Sequence, residues 1–408
     1  MRSIADAPWL GAATTRAVMA ALEAARPGGA RFVGGCVRNT LMGAPVDDID
    51  IATQLRPDQV LAAAKRAGLV AVPTGIEHGT ITVIADHVPH EVTTLRRDVE
   101  TDGRRATVAF TENWEEDAAR RDFRINALYA GADGALYDPT GGGLEDVRAG
   151  RVIFIGDAET RIREDYLRIL RFFRFNAWYG RGPLEAAGVA ACAALRGGLA
   201  GLSAERVWKE SKKLIAAPDP RAALTAMEES GVRAALWPEC TRCDRLARLV
   251  EIEHALGSGA DAMQRLAAMI ASAPAAQEFA RRLKLSNEEK ARLAAALTAD
   301  VGVRPSMPAP VMRRAIYRLG LQAFRDRALC AWAEAGEAQA PDWRALLEAA
   351  EAWPAPVFPL TGHDAIAAGA APGPAMGQAL RAVEAWWIDA DFPDDRAALL
   401  VRLKEALA

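Results

Sequence analysis

Runs rich in Val, Ile and Thr, of the alternating kind that makes strands, occur only between residues 30 and 155 of this chain; from about 156 onward the patterned segments have helical spacing. ARFVGG, DDIDIAT, GTITVIAD, HEVTTLRRD and YAGADGALYD are bounded by Gly, Pro or Asp and read as half-buried strands. Helical patterns at 36–42, 57–67 and 115–127 fall between them. The predicted fold class is α+β: an N-terminal α/β segment with a small mixed β-sheet, followed by an all-α remainder. A length of 408 residues exceeds one ordinary core. The Pro-rich breaks GVRPSMPAP (302–310) and EAWPAPVFPLTG (351–362) suggest boundaries of sub-domains or helix layers within the helical part.

Composition narrows the function classes. No apolar run approaches the ~20 residues that span a bilayer, so no membrane association is expected. The first 29 residues read as an amphipathic helix without a signal-peptide core, and a cytoplasmic location is expected. Five scattered cysteines make no disulfide framework, and the Cys240–Cys243 CxxC lacks the partners of a zinc site. His363–Asp364 likewise lacks the further ligands a phosphohydrolase metal site needs. With a net charge of −3, a nucleic-acid partner must be held by local basic patches.

The stretch GGCVRNTLMGAPVDDIDIAT (34–53) carries the most chemistry. Gly34 and Gly35 end a strand just where a two-turn helix begins, so backbone N–H groups are free to meet a phosphate. Arg38 on the first turn can add a charged fork. On a strand, residues i and i+2 share a face. Asp48 and Asp50 should therefore point together, with Asp47 on the Ile49–Ile51 face or at the strand's exposed start. Two adjacent carboxylates repel unless a cation lies between them, and hard oxygen ligands suit Mg2+. Glu91 in HEVTTLRRD is the candidate third carboxylate from a neighbouring strand.

Taken together, this stretch resembles the signature of the class II tRNA CCA-adding enzymes and bacterial poly(A) polymerases. Further segments resemble that family in its own order: GIEHGTITV (75–83), EVTTLRRD (91–98), EEDAARRDFRINALYA (115–130), YDPTGGGLEDVRAG (137–150), REDYLRILRFFRF (163–175), LSAERVWKESKKLI (202–215) and PLTGHDAIAAGAAPGPAMGQAL (359–380). The family's Arg-Arg-Asp-Phe-x-x-Asn-Ala motif has Arg124 here where Thr is more usual. The resemblance is dense over 30–215 and thinner beyond. It implies a nucleotidyltransferase head (1–155), a neck that recognises the base (156–215), and a body (216–302) and tail (303–408) that bind tRNA.

On this reading Asp48 and Asp50 hold two Mg2+ ions, and Glu91 holds or deprotonates at the first. Gly34, Gly35, Arg38 and one of Arg120 and Arg121 bind phosphates. Asp122 and Asn126, one helical turn apart, meet the ribose hydroxyls. Asp165 and Arg168, neighbours at i, i+3 on one helix, read the base. Cytosine and adenine both offer an amino donor beside a ring acceptor, whereas uracil and guanine offer the reverse, so one Asp–Arg pair can admit C and A. Arg171 remains in the cleft, facing phosphate or base. Arg174 has drifted most of the way around the helix and is included on the resemblance. Phe172, Phe173 and Phe175 are expected in the core.

Residues 96–111 read as a mobile loop, which the resemblance associates with terminal A addition. The basic segments RVWKESKKL and RRLKLSNEEK are candidate RNA contacts. The expected partners are the tRNA 3′ end, with CTP and ATP as substrates; no obligate protein partner is inferred. The alternatives are a poly(A) polymerase, which tends to carry a basic extension absent here, a C-only or A-only enzyme, or a non-catalytic RNA-binding protein.

Overall fold

Strand β2 (Asp50–Thr53) lies at the centre of a seven-stranded sheet in the computed structural model, which describes residues 3–102, 105–298, 302–336 and 339–407. The other strands are β1 (Ala30–Val33), β3 (Val70–Gly75), β4 (Thr80–Ala85), β5 (Val88–Thr94), β8 (Tyr129–Ala130) and β9 (Leu136–Tyr137), in the order β3-β4-β5-β2-β1-β8-β9. Only β2 and β5 pair in parallel; the remaining neighbours are antiparallel, so the sheet is mixed as expected. Ile51, Ile81, Val83 and Val92 are buried within it. The helices Ala13–Ala25 and Pro57–Arg66 pack on the β3–β5 side, burying Val18, Leu22, Val60 and Ala63.

Two local expectations need correction. Strand β2 begins at Asp50, so Asp48 precedes the strand and is exposed. The helix expected over 115–127 stops early: Trp114–Ala119 is helical, Phe123 is extended and bridges Phe154, and Arg124–Asn126 form a 3-10 turn. Burial of Asp122 and Phe123 against neighbouring segments outweighs the local helical pattern here. Residues 96–110, the segment expected to be a mobile loop, form an antiparallel ribbon, β6 (Arg96–Asp102) with β7 (Arg105–Phe110). The tip of that loop, residues 103 and 104, lies outside the described residues.

The chain divides into two compact units, Met1–Pro238 and Glu239–Ala408. The first contains the sheet, the expected neck and residues 216–238. In its aromatic cluster, Phe123 lies 4.9 Å from Phe154 and 5.2 Å from Phe175, and Phe154 stacks on Phe172 at 5.3 Å. This cluster, with Phe173 also buried, fixes the Leu167–Tyr179 helix against the 122–126 turn. The second unit is helical from Cys243–Leu256 to Arg396–Leu407, with a buried Arg265–Glu253 ion pair and a Trp387–Val383–Leu399–Leu403 cluster.

Candidate active site

Ala52 follows Asp50 by two positions on the same sheet face and packs with Val33, Trp114, Ala118 and Tyr129. That packing draws the segment bearing Asp117, Arg120 and Arg121 over the face on which Asp50 stands. Gly34, at φ +73°, makes the turn from β1 into the Gly35–Met42 helix, a backbone region that a side-chain-bearing residue rarely enters. A Cβ on Gly34 would sit 3.9 Å from Asp50 Oδ2 and 3.8 Å from Arg121 Nη1. The helix N-terminus, a carboxylate and a guanidinium thus meet at one point.

Around that point opens a cleft of about 440 Å³. Gly34, Gly35, Arg38, Asp50, Arg120, Arg121, Asp122, Asn126, Asp165, Arg168 and Arg171 all line it, drawn together from segments far apart in sequence. Asp48 and Arg174 line an adjoining cleft instead, together with Asp47. For Arg174 the reason is helical drift: two steps of three residues along the Leu167–Tyr179 helix carry it away from Arg168. Glu91 lines neither of these clefts, but it is the register partner of Asp50 across β2–β5.

Burial pushes the Asp50 carboxyl up to about 6, and the Glu91 and Asp48 charges add to the effect against the opposing Arg121. A carboxylate destabilised by burial and by two others is a donor set that fits a bound cation. Among the described residues no three His, Cys, Asp or Glu side chains converge closely enough to cage a metal. A cation here would therefore complete its shell with phosphate oxygens and water, as Mg2+ commonly does.

The arginines are held by carboxylates, several of which were not legible as partners. Asp117 Oδ1 accepts from Arg120 Nε at 2.9 Å, and Asp117 Oδ2 accepts from Arg121 Nη2 at 3.1 Å and Tyr129 Oη at 2.7 Å. Burial alone would raise Asp117, but Arg121, Arg120 and Tyr129 outweigh it and hold the carboxyl at about 2. Arg121 Nη1 is left facing Gly34 and the cleft.

Asp122 does not have the free oxygens a ribose contact requires. Its Oδ1 accepts from Phe123 N at 2.8 Å and Asn126 Nδ2 at 2.9 Å; its Oδ2 accepts from Arg171 Nε at 2.8 Å. Arg171 Nη2 adds a second bond to Oδ2. Four donors occupy the acceptor sites of one carboxylate. Burial would raise Asp122, yet Arg171 and Asn126 hold it at about 2. Asn126 Oδ1 in turn accepts from Arg38 Nη1, and Arg38 Nη2 donates to Tyr179 Oη at 2.8 Å. Arg38 is therefore part of a buried relay rather than an open phosphate fork, and burial lowers its pKa. The relay continues through Glu210, which accepts from Arg174 Nε at 2.5 Å and lies 3.6 Å from Arg171 Nη1.

Asp165 and Arg168 share the cleft but not a helix face. Asp165 sits in the break between the Ala158–Glu164 and Leu167–Tyr179 helices, where Oδ1 accepts from Leu167 N at 3.1 Å. Its Oδ2 accepts from Arg206 Nη2 at 2.7 Å. Arg168 donates to the Arg120 and Arg161 carbonyls at 3.1 and 2.8 Å and pairs with Glu164. Asp117 and Glu210 were readable in principle. Each falls in the buried phase of its helix, beside Trp114–Ala118 and Val207–Ser211–Leu214, and a carboxylate there calls for a cation. His363–Asp364 is no metal pair: Asp364 caps its helix through Thr361 N at 2.8 Å and pairs with Arg396.

Known proteins resemble this chain in sequence and fold. Residues 30–153 match the family described as "Poly A polymerase head domain", and residues 184–243 match "Probable RNA and SrmB- binding site of polymerase A". A Lacticaseibacillus paracasei CCA-adding enzyme is 33% identical over 381 residues, 91% of this chain and 91% of that one. The chain belongs to the CCA-adding tRNA nucleotidyltransferase family. The Mus musculus protein named "CCA tRNA nucleotidyltransferase 1, mitochondrial" is 31% identical over 399 residues, 92% of this chain and 86% of its own. The crystal structure of a Bacillus stearothermophilus CCA-adding enzyme in complex with CTP superposes with TM-score 0.73 at 27% identity, covering 96% of both chains. Nucleotidyltransferases of the CCA-adding family generally depend on a divalent metal. No helix among the described residues is long and apolar enough to cross a membrane.

Proposed function

We propose that this chain adds C, C and A from CTP and ATP to the tRNA 3′ end without a nucleic-acid template, releasing pyrophosphate at each step. The observation that carries the mechanism is the position of Asp50. Its carboxyl, raised to about 6, stands where the arginine-lined cleft meets the cleft that holds Asp48.

Asp48 and Asp50 are the residues to hold Mg2+, and Glu91, beside Asp50, either helps hold it or takes the hydroxyl proton. When bound, the metal neutralises phosphate charge and favours the ionised hydroxyl. The Gly34–Gly35 turn presents backbone N–H groups to the triphosphate, and Arg121 Nη1 adds a charge, with Asp117 fixing the direction of that guanidinium. Asp165, braced by Arg206, accepts from the amino group of C or A, while Arg168 donates to the ring nitrogen. Asp122 and Asn126 act by positioning Arg171 and Arg38.

The test is incubation with tRNA lacking its 3′ CCA and each labelled NTP, followed by sequencing of the products. C, C, A in order is expected. A-only tailing without a defined length would point instead to the poly(A) polymerase reading.

A further inference from the structure

On the other side of Arg38 and Asp50 lies the second cleft, of about 630 Å³, which shares Gly35, Arg38 and Asp50 with the first. Besides Asp47 and Asp48, its wall contains Trp178 in the last turn of the Leu167–Tyr179 helix, Arg181 and Lys213. Trp178 is 42% exposed, and its indole N–H donates to the Lys213 carbonyl at 2.8 Å. That bond orients a large aromatic ring while part of its surface stays open to the cleft. The neighbouring Tyr179 is engaged already, with the Arg38 guanidinium 4.0 Å over its ring.

Arg181 and Lys213 are exposed and have no ion-pair partner among the described residues. The first cleft differs: Arg120, Arg121, Arg171 and Arg206 are each held by a carboxylate. Two unpaired cations beside an oriented indole match the way proteins hold single-stranded nucleic acid, with charge on the backbone and aromatic rings under the bases.

We infer that the second cleft seats the 3′-terminal nucleotide of the RNA acceptor, its base stacked on Trp178 and its phosphates on Arg181 and Lys213. The inference rests on the nucleotidyl-transfer reading above. In-line displacement requires the attacking hydroxyl to approach the α-phosphorus opposite the departing pyrophosphate. With the nucleotide in the first cleft, the second reaches the same Asp50 from another side. Stacking also suits this acceptor chemically. The terminal base changes with every nucleotide added, and a π-surface accepts each base without hydrogen-bond readout.

Steady-state kinetics with tRNA lacking its CCA end test this. Trp178→Ala should raise the KM for tRNA roughly 10- to 100-fold, the range expected for loss of one base stack. The KM for CTP and ATP should stay unchanged, and Trp178→Phe should restore most of the loss. The Arg181→Glu/Lys213→Glu double variant, altering two exposed side chains, should raise the tRNA KM on its own and carries the test if Trp178→Ala fails to fold. A tRNA KM within about twofold of wild type in folded variants overturns the inference, on the same scale. So does a rise confined to the CTP or ATP KM. A wild-type chain that adds no nucleotide overturns the function proposed above instead. Quenching of Trp178 fluorescence by the same tRNA, read as wild type minus Trp178→Phe, then decides this inference alone: quenching supports it and none overturns it.

Discussion

Asp50 and Glu91 are register partners across β2–β5, the one parallel strand pair in the sheet, so their side chains leave the same face one strand apart. Parallel neighbours at matching positions keep two like charges together, which is a cost unless a cation or proton offsets it. The pair thus exchanges stability for a charged site at the junction of two clefts.

That exchange gives a paired prediction for Asp50→Asn. Losing the carboxylate should abolish incorporation, by at least ~10³-fold, because metal-assisted charge stabilisation is worth several kcal/mol. Without metal, the same variant should be more stable than wild type at neutral pH, by about 1–2 kcal/mol, since a buried repelled charge is removed. Urea unfolding in a chelator, beside product sequencing, reads both. An active Asp50→Asn, or one that is less stable, would remove Asp50 from the metal site.

Asp117 makes the opposite contribution. Its folded pKa of about 2 lies below the usual carboxylate value, so its stabilisation is complete above pH ~4 and is lost as pH falls toward 2. The shift corresponds to about 2 kcal/mol at neutral pH. Asp117→Asn should be destabilised by at least about that amount at pH 7, with the gap closing by pH 2. It should also raise the KM for NTP, because Arg121 loses its orienting partner. Parallel acid titrations of wild type and variant, followed by circular dichroism, check the first point; a gap independent of pH would mean that Asp117 stabilises the fold by packing alone.

Much of this site was legible in sequence because its parts are local. The Gly34–Gly35 turn, Asp50 at the start of a strand and the strand at Glu91 each follow from short-range pattern, whereas the strand face expected to carry Asp48 beside Asp50 does not exist because β2 begins at Asp50. What remained unread was long-range partnership. Asp122 looked like a ribose ligand until Arg171, 49 residues on, was found bonded to it. Asp165 and Arg168 looked like helix neighbours because spacing alone does not reveal a break at Asp165 braced by Arg206. Arg174 is paired with Glu210, a contact between two helices that no spacing within either one encodes. The sheet order too, with β5 inserted beside β2, depends on packing across 40 residues of chain.

Arg206 is therefore the residue to test for base choice alongside Asp165. Asp165→Ala should relax selection among the four NTPs, with C and A preference over U and G falling by ~10²-fold or more, as when buried hydrogen-bonding groups no longer reject a mismatched ligand. Arg206→Ala leaves the carboxylate in place but unbraced, and a smaller loss, about tenfold, is expected for one charge-assisted hydrogen bond. Competition assays with pairs of NTPs measure both. Unchanged selectivity in Asp165→Ala would place base reading elsewhere in the cleft.

Glu210 separates the two clefts energetically. It holds Arg174, which faces the second cleft, and lies near Arg171, which faces the first. Glu210→Gln keeps the shape but weakens both contacts, leaving two partly buried cations with one fewer countercharge. The expected result is a rise in KM for NTP of about tenfold, the scale of one weakened charge-assisted bond. Trp178 and Lys213 do not depend on that carboxylate, so the KM for tRNA should move less. Glu210→Asp keeps the charge on a shorter arm and should recover part of the loss. Equal changes in both KM values would instead mean that Glu210 supports the fold of the whole Leu167–Tyr179 helix rather than the aim of its arginines.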